Sequence, residues 1–206
     1  MTAAIAKILK DMISGMLIVD KIAGLVTTVE KAQPTDIEGA FAVSKFPASV
    51  DSNYEDCITS GCYKDLVPNS GLKSIIYFED LGTKALGGKE QSAYKYQTRL
   101  RLVCWLNNRL IQTGECMSIN HLIITQIREL LEIGYFNEGD FKKIRITLES
   151  VVDNDYKLFD RYTYPSEAVK FLMHPYEAFG MNLSCEYSIS PSCLPDFLLD
   201  PESCDS

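Results

Sequence analysis

"SIIYFEDLGTKALGGKEQSAYKYQTRLRLVCWLNN", residues Ser74 to Asn108, decides how this chain folds. Leu72 to Asp80 is rich in β-branched and aromatic residues and reads as one strand. Ala93 to Asn108 alternates and reads as a second, with Leu81 to Gln91 as a flexible glycine loop between them. In the second strand Tyr94, Tyr96, Thr98, Leu100, Leu102, Cys104 and Leu106 share one face, and Lys95, Gln97, Arg99 and Arg101 the other. At ~3.3 Å per residue the strand reaches about 50 Å, longer than one sheet needs, so the hairpin is expected to project as an arm. An exposed strand edge invites pairing, so such an arm implies something that covers it.

The glycine loop invites comparison with a phosphate cradle and fails it. With Lys89 as the phosphate lysine, the first glycine position holds Thr83 and the magnesium-binding hydroxyl position holds Glu90. A carboxylate there repels phosphate, and the residues from Ala93 onward alternate as a strand instead of opening a helix.

Outward from the hairpin, Thr2 to Ser14 reads as an amphipathic helix, with Thr2 as N-cap and Ile5, Ile8, Leu9, Met12 and Ile13 on its apolar side. Met16 to about Lys31 reads as a strand with an irregularity at Gly24. Between Gln33 and Gly71 only "GAFAVSKFP" looks like a strand, closed by Pro47. So long a weakly patterned stretch marks a functional segment or an interface arm. Ser118 to Ile133 is a second helix, capped by Ser118 and ended at Gly134, with Ile119, Leu122, Ile123, Ile127, Leu130 and Leu131 inward. Phe141 to Val152 is a strand, Ser166 to Met173 a short helix and Glu177 to Ser190 the last strand. The fold class is α+β, a mostly antiparallel sheet with a long β-hairpin and helices packed on one face. Residues 1–152 form the main domain, 153–190 its continuation and 191–206 an extended acidic tail.

The composition bounds the function. The chain has 206 residues, 46% hydrophobic, with 28 acidic and 20 basic residues and a formal charge of −8. That balance argues against a nucleic-acid-wrapping surface, though an acidic wall lets a duplex slide past without sticking. No apolar run approaches the ~20 residues of a membrane helix, so no membrane contact is expected. Seven irregularly spaced cysteines fit a reducing compartment, and Cys104 and Cys185 fall on apolar strand faces. No cofactor or metal set stands out. "DNDY" at Asp153 breaks the calcium-loop pattern, with Leu158 where glycine belongs. His121 and His174 read as surface or packing residues. Arg99, Arg101 and Arg109 beside Tyr94, Tyr96 and Trp105 suggest a nucleic-acid platform, but the acidic total favours a pairing surface for a neighbour's acidic patches.

Element order and the phrases "SKFPASVDSNYEDC" (Ser44 to Cys57), "SIIYFEDLGTKA" (Ser74 to Ala85) and "YKYQTRLRLVCWLN" (Tyr94 to Asn107) carry a resemblance over about Thr2 to Ser150. The chain resembles the tail-terminator (tail-completion) proteins of tailed bacteriophages, and neck and ring proteins of crAss-like phages of gut bacteria. The resemblance implies a non-enzymatic virion structural protein, assembled in the host bacterial cytoplasm. It would be one subunit of a ring at the neck, the head-to-tail connector or the tail junction. The implied partners are copies of itself, neighbouring portal, neck or tail proteins, and DNA passing through the lumen without specific binding. The expected interface residues are Gly82, Gly87, Gly88, Lys89, Arg99, Arg101, Asp196 and Asp200. Two other readings remain open: a small metal-dependent hydrolase or nuclease using Glu79, Asp153 and Asp155, and an adaptor binding through the segment Tyr156 to Tyr164.

Overall fold

The computed structural model describes residues 1–34, 41–51, 61–90, 93–112, 118–153, 156–164 and 166–189. Seven strands form one sheet: β1 (Lys21–Pro34), β2 (Phe41–Ser49), β3 (Ser74–Glu90), β4 (Ala93–Asn107), β5 (Phe136–Glu138), β6 (Phe141–Asp153) and β7 (Tyr176–Ile189), in the order β2-β1-β3-β4-β7-β6-β5. Every pairing is antiparallel except β1 with β3. Two three-turn helices, α1 (Thr2–Ile13) and α2 (Asn120–Leu131), cover one face. Among the described residues no helix is long and apolar enough to cross a membrane.

The expected α+β architecture holds, and the β3–β4 hairpin is its centre, not its arm. β4 is paired along its whole length to β3 on one side and to β7 on the other, from Tyr94 opposite Ile189 to Asn107 opposite Tyr176. The glycine stretch is strand as well: β3 runs to Glu90, and bulges between Asp80 and Gly82 and between Leu86 and Lys89 absorb the glycines. Gly82 takes φ +111°, a backbone shape that side-chain-bearing residues avoid.

The element that leaves the sheet is β1–β2. β1 pairs with β3 only from Lys21 to Leu25, shifts register around Gly24, and then pairs with β2 from Val26 to Pro34. The resulting ribbon packs Val29, Phe46 and Ala48 inward, while Phe41 (68% exposed) and Val43 (50%) face outward near its tip. The strand expected from "GAFAVSKFP" is therefore present, and Pro47 lies within it. Proline is tolerated there because β2 is an edge strand.

Two cores flank the sheet. On the helix face Ile5, Leu9 and Ile13 of α1 and Ile123, Ile127 and Leu131 of α2 meet Leu100, Leu102, Cys104 and Leu106 of β4. Leu122 and Leu130, expected inward, are exposed, because α2 buries only the narrow i, i+4, i+8 stripe. On the opposite face Ile75, Tyr77, Val103 and Trp105 meet the ribbon and a covering segment around Leu158, Phe159, Tyr162 and Tyr164. The helix expected over 166–173 is one α-turn (Ser166–Val169) followed by a 3-10 turn (Lys170–Leu172). Trp105 Nε1 donates to Phe171 O at 2.6 Å, anchoring that segment.

Several local expectations fail for identifiable reasons. The helix caps are Met1 and Ile119, not Thr2 and Ser118. The Thr2 hydroxyl meets that of Thr83 at 3.2 Å, and Ser118 Oγ donates to Glu177 at 3.0 Å. β1 starts five residues late because 15–20 turn back: Ser74 Oγ donates to Ile18 O, and the Asp20 carboxylate accepts from Lys73 N–H.

Candidate interface site

The second face of the sheet is divided. The half that carries Ile75, Tyr77, Val103 and Trp105 is roofed by the covering segment, and the dividing row is Glu79, Arg101 and Asn182 on β3, β4 and β7. Under the roof, in register with Val103, Gly180 lets the covering segment close: a side chain there would put its Cβ 2.7 Å from Leu158 Cδ2 and 3.5 Å from Arg101 Cδ. Glu79 lies beneath the roof, 1% exposed. Tyr162 Oη donates to its Oε1 at 2.7 Å, and Arg161 stands 3.4 Å from Oε2, an ion-pair distance without hydrogen-bond geometry. Burial, then the neighbouring Glu79 charge, pushes the Tyr162 phenol well above its ordinary range.

Beyond the row the face is open and polar, because alternation along β4 now brings out Lys95, Gln97, Arg99 and Arg101. Arg99 reaches across β7 to Glu149 of β6, with Nη2 at 2.7 Å and Nε at 2.9 Å from the same oxygen. The small side chain of Ser184 lies between them in register and accepts from Gln97 Nε2 at 2.6 Å. Arg101 Nε donates to Asn182 Oδ1 at 2.9 Å, and Asn182 Nδ2 to Ser150 Oγ at 2.9 Å. At the far end a cleft of about 430 Å³ is lined by Leu86, Lys95, Tyr135, Lys143 and Glu186, among others. Arg145, opposite Glu186 in register, stacks its guanidinium 5.5 Å from the Tyr135 ring centre.

Charge on this face runs against the chain as a whole. Lys84, Lys95, Arg99, Arg101, Lys143 and Arg145 stand there against Glu149 and Glu186, in a chain of formal charge −8. Arg99 and Arg101, expected to pair with a neighbour's acids, are first engaged within their own chain. They remain on the rim of a cationic face.

The other expected interface residues fall in different places. Gly82, Gly87, Gly88 and Lys89 all lie on the half of β3 that β1 does not reach, so among the described residues that edge of β3 carries no strand. No atom outside the chain neighbours comes within 4 Å of a Cβ built on Gly82 or Gly87. Asp196 and Asp200 lie outside the described residues. Lys143 was not foreseen. It holds φ +51°, a left-handed conformation in a residue other than glycine, and its N–H donates to Asn137 Oδ1 at 2.8 Å. Nothing in its sequence context signals that.

The rival sites do not assemble. Glu79 faces the roof, whereas Asp153 accepts from Asn120 Nδ2 of α2 at 2.7 Å on the helix face. The two lie on opposite faces and three strands apart, about 14 Å at ~4.8 Å per strand, and Asp155 is outside the described residues. They cannot hold one ion between them. Tyr162 and Tyr164 are buried in the second core, so they offer no adaptor surface. The nucleic-acid platform also separates: Trp105 is buried beneath the roof, and Tyr96 stacks on Tyr187 at 5.9 Å on the helix face. Cys104 and Cys185 are buried as expected, and burial raises both thiols, Cys185 to about 12. No protein-family model and no curated protein matches the chain.

Proposed function

We propose that this chain is a non-enzymatic structural subunit of a tailed-phage virion. Copies of it would form a ring at the neck or head-to-tail junction, next to portal, neck or tail proteins. The observation that supports self-assembly is the charge separation: a cationic open sheet face on a chain whose remainder is strongly acidic. A ring closes through heterologous contacts, which need two different, complementary patches on each copy. The phage assignment rests on the resemblance of element order and phrases. An acidic excess away from the contact face suits a lumen through which DNA slides without binding.

Native mass spectrometry and electron microscopy of the purified chain over a range of salt test the reading, with mass spectrometry of purified particles as a second arm. Closed rings that loosen as salt rises, and the chain's presence in particles, are expected. A chain that stays monomeric at every concentration and is absent from particles overturns the reading.

A further inference from the structure

We propose that residues 156–164 and the β1–β2 ribbon form one hinged cover, which lifts off the sheet as a unit and bares Tyr77, Glu79 and Gly180. Two kinds of contact join the pieces. Thr163 N–H donates to Lys45 O of β2 at 2.9 Å, while the adjacent Tyr162 holds Glu79 of β3 at 2.7 Å. Val29, Phe46 and Ala48, the ribbon's inward side chains, share one core with Leu158, Phe159, Tyr162 and Tyr164, and none of them enters the core beneath α1 and α2. Moving either piece alone would leave the other's apolar side chains in water, so the two move together.

The seat of this cover favours release. Tyr77 Oη, Glu79 Oε2 and Tyr164 Oη are buried and find no hydrogen-bond partner in the protein, a loss that water makes good once the cover lifts. The ion pair across the seat is loose: the Arg161 side chain is half exposed and stands 3.4 Å from Glu79 without hydrogen-bond geometry. The attachment is narrow as well. Among the described residues the ribbon pairs with the rest of the sheet only at Lys21 to Leu25 of β1, and the register shift inside that span supplies a hinge. β4 and β7, by contrast, are each held by a ladder on both sides. The Trp105 bond to Phe171 pins the chain just beyond the cover to this frame. With the cover lifted, Tyr77 and Gly180 become continuous with the cationic half beside Arg101, so the contact face of the subunit enlarges.

Native-state hydrogen exchange of the full chain, followed amide by amide through low concentrations of urea, tests this. The hydrogen-bonded amides of Asp160, Tyr162 and Thr163 and the paired amides of the ribbon are expected to share one opening free energy and one urea dependence, both below those of β4 and β7. Tyr162→Phe should speed exchange of both sets alike, by about thirtyfold. Arg161→Gln, a gentler change at a half-exposed side chain, should speed both by about threefold. Ile127→Val, which thins only the helix-face core, should speed β4 and β7 by about fivefold and leave both sets unchanged. Ribbon amides that ignore Tyr162→Phe and Arg161→Gln while those of 160–163 respond overturn the coupling. Exchange of both sets only in step with β4, and their equal response to Ile127→Val, overturn the cover itself.

Discussion

Glu79 is a charge with almost no access to water, and its neutralisation depends on a residue far away in the sequence. Tyr162 supplies its hydrogen bond at 2.7 Å and Arg161 its counter-charge. Removing one partner of a buried charged group leaves it unsatisfied, so Tyr162→Phe is expected to cost about 2–3 kcal/mol in urea unfolding. A double-mutant cycle with Glu79→Gln should show the two coupled, and additive losses would contradict the contact. Gly180→Ala should cost about 1 kcal/mol, the low end for overpacking, because the obstructing Leu158 Cδ2 is a side-chain tip. Compensation by Leu158→Val, which shortens that side chain, is the check. Neither effect was legible in the sequence. Glu79 reads as an available acid because its partner stands 83 positions away, and Gly180 reads as one more strand residue until the roof is placed over it.

Elements were legible where one face dominates their pattern. The α1 helix, the β3–β4 pairing and β7 follow from periodicity, and the inward face of β4 from Leu100 to Leu106 is as expected. The misreadings came from glycine and from context. Gly82, Gly87 and Gly88 suggest a loop because they weaken a strand, yet bulges let a strand carry them. β1 gives no signal that it changes partner, because partner choice depends on distant residues. The residue that caps the C-terminus of α2 has a role the helix's amphipathic pattern did not signal: Glu132 Oε1 accepts from Leu148 N–H of β6 at 2.8 Å, covering a donor on an outer strand. That hydrogen bond first, then the one from Arg128, holds the Glu132 carboxyl below its ordinary value. A depressed carboxyl contributes stability above its unfolded value, near 4.5, and loses it as pH falls through the folded value. Glu132→Gln should therefore destabilise by about 0.5 kcal/mol at pH 7, a small figure because solvent reaches and screens the half-buried side chain, and by nothing at about pH 3. Thermal melts at the two pH values decide it.

For the whole molecule, the fold class could be read from the order of elements, and the division of one sheet face into roofed and open halves could not. That division depends on where 156–172 settles, a matter of tertiary fit between tyrosines and the sheet. It has an alkaline signature. Burial, with Glu79 adding to it, raises the Tyr77, Tyr162 and Tyr164 phenols above their ordinary value near 10. The unfolded chain releases those protons first, so the contribution of these phenols to stability should be constant below about pH 10 and fall above it. Ultraviolet titration should find these three of the 11 tyrosines silent until the protein unfolds. Phenolate absorbance rising for all 11 in the folded state would contradict the roof.

The partner change of β1 also sets how the molecule carries load. A pull along the β1–β2 ribbon meets one ladder of hydrogen bonds, which opens rung by rung, whereas extracting β4 must shear two ladders at once. Under tension the ribbon should yield early and reversibly while the central strands hold, giving the subunit a compliant handle on a stiff frame.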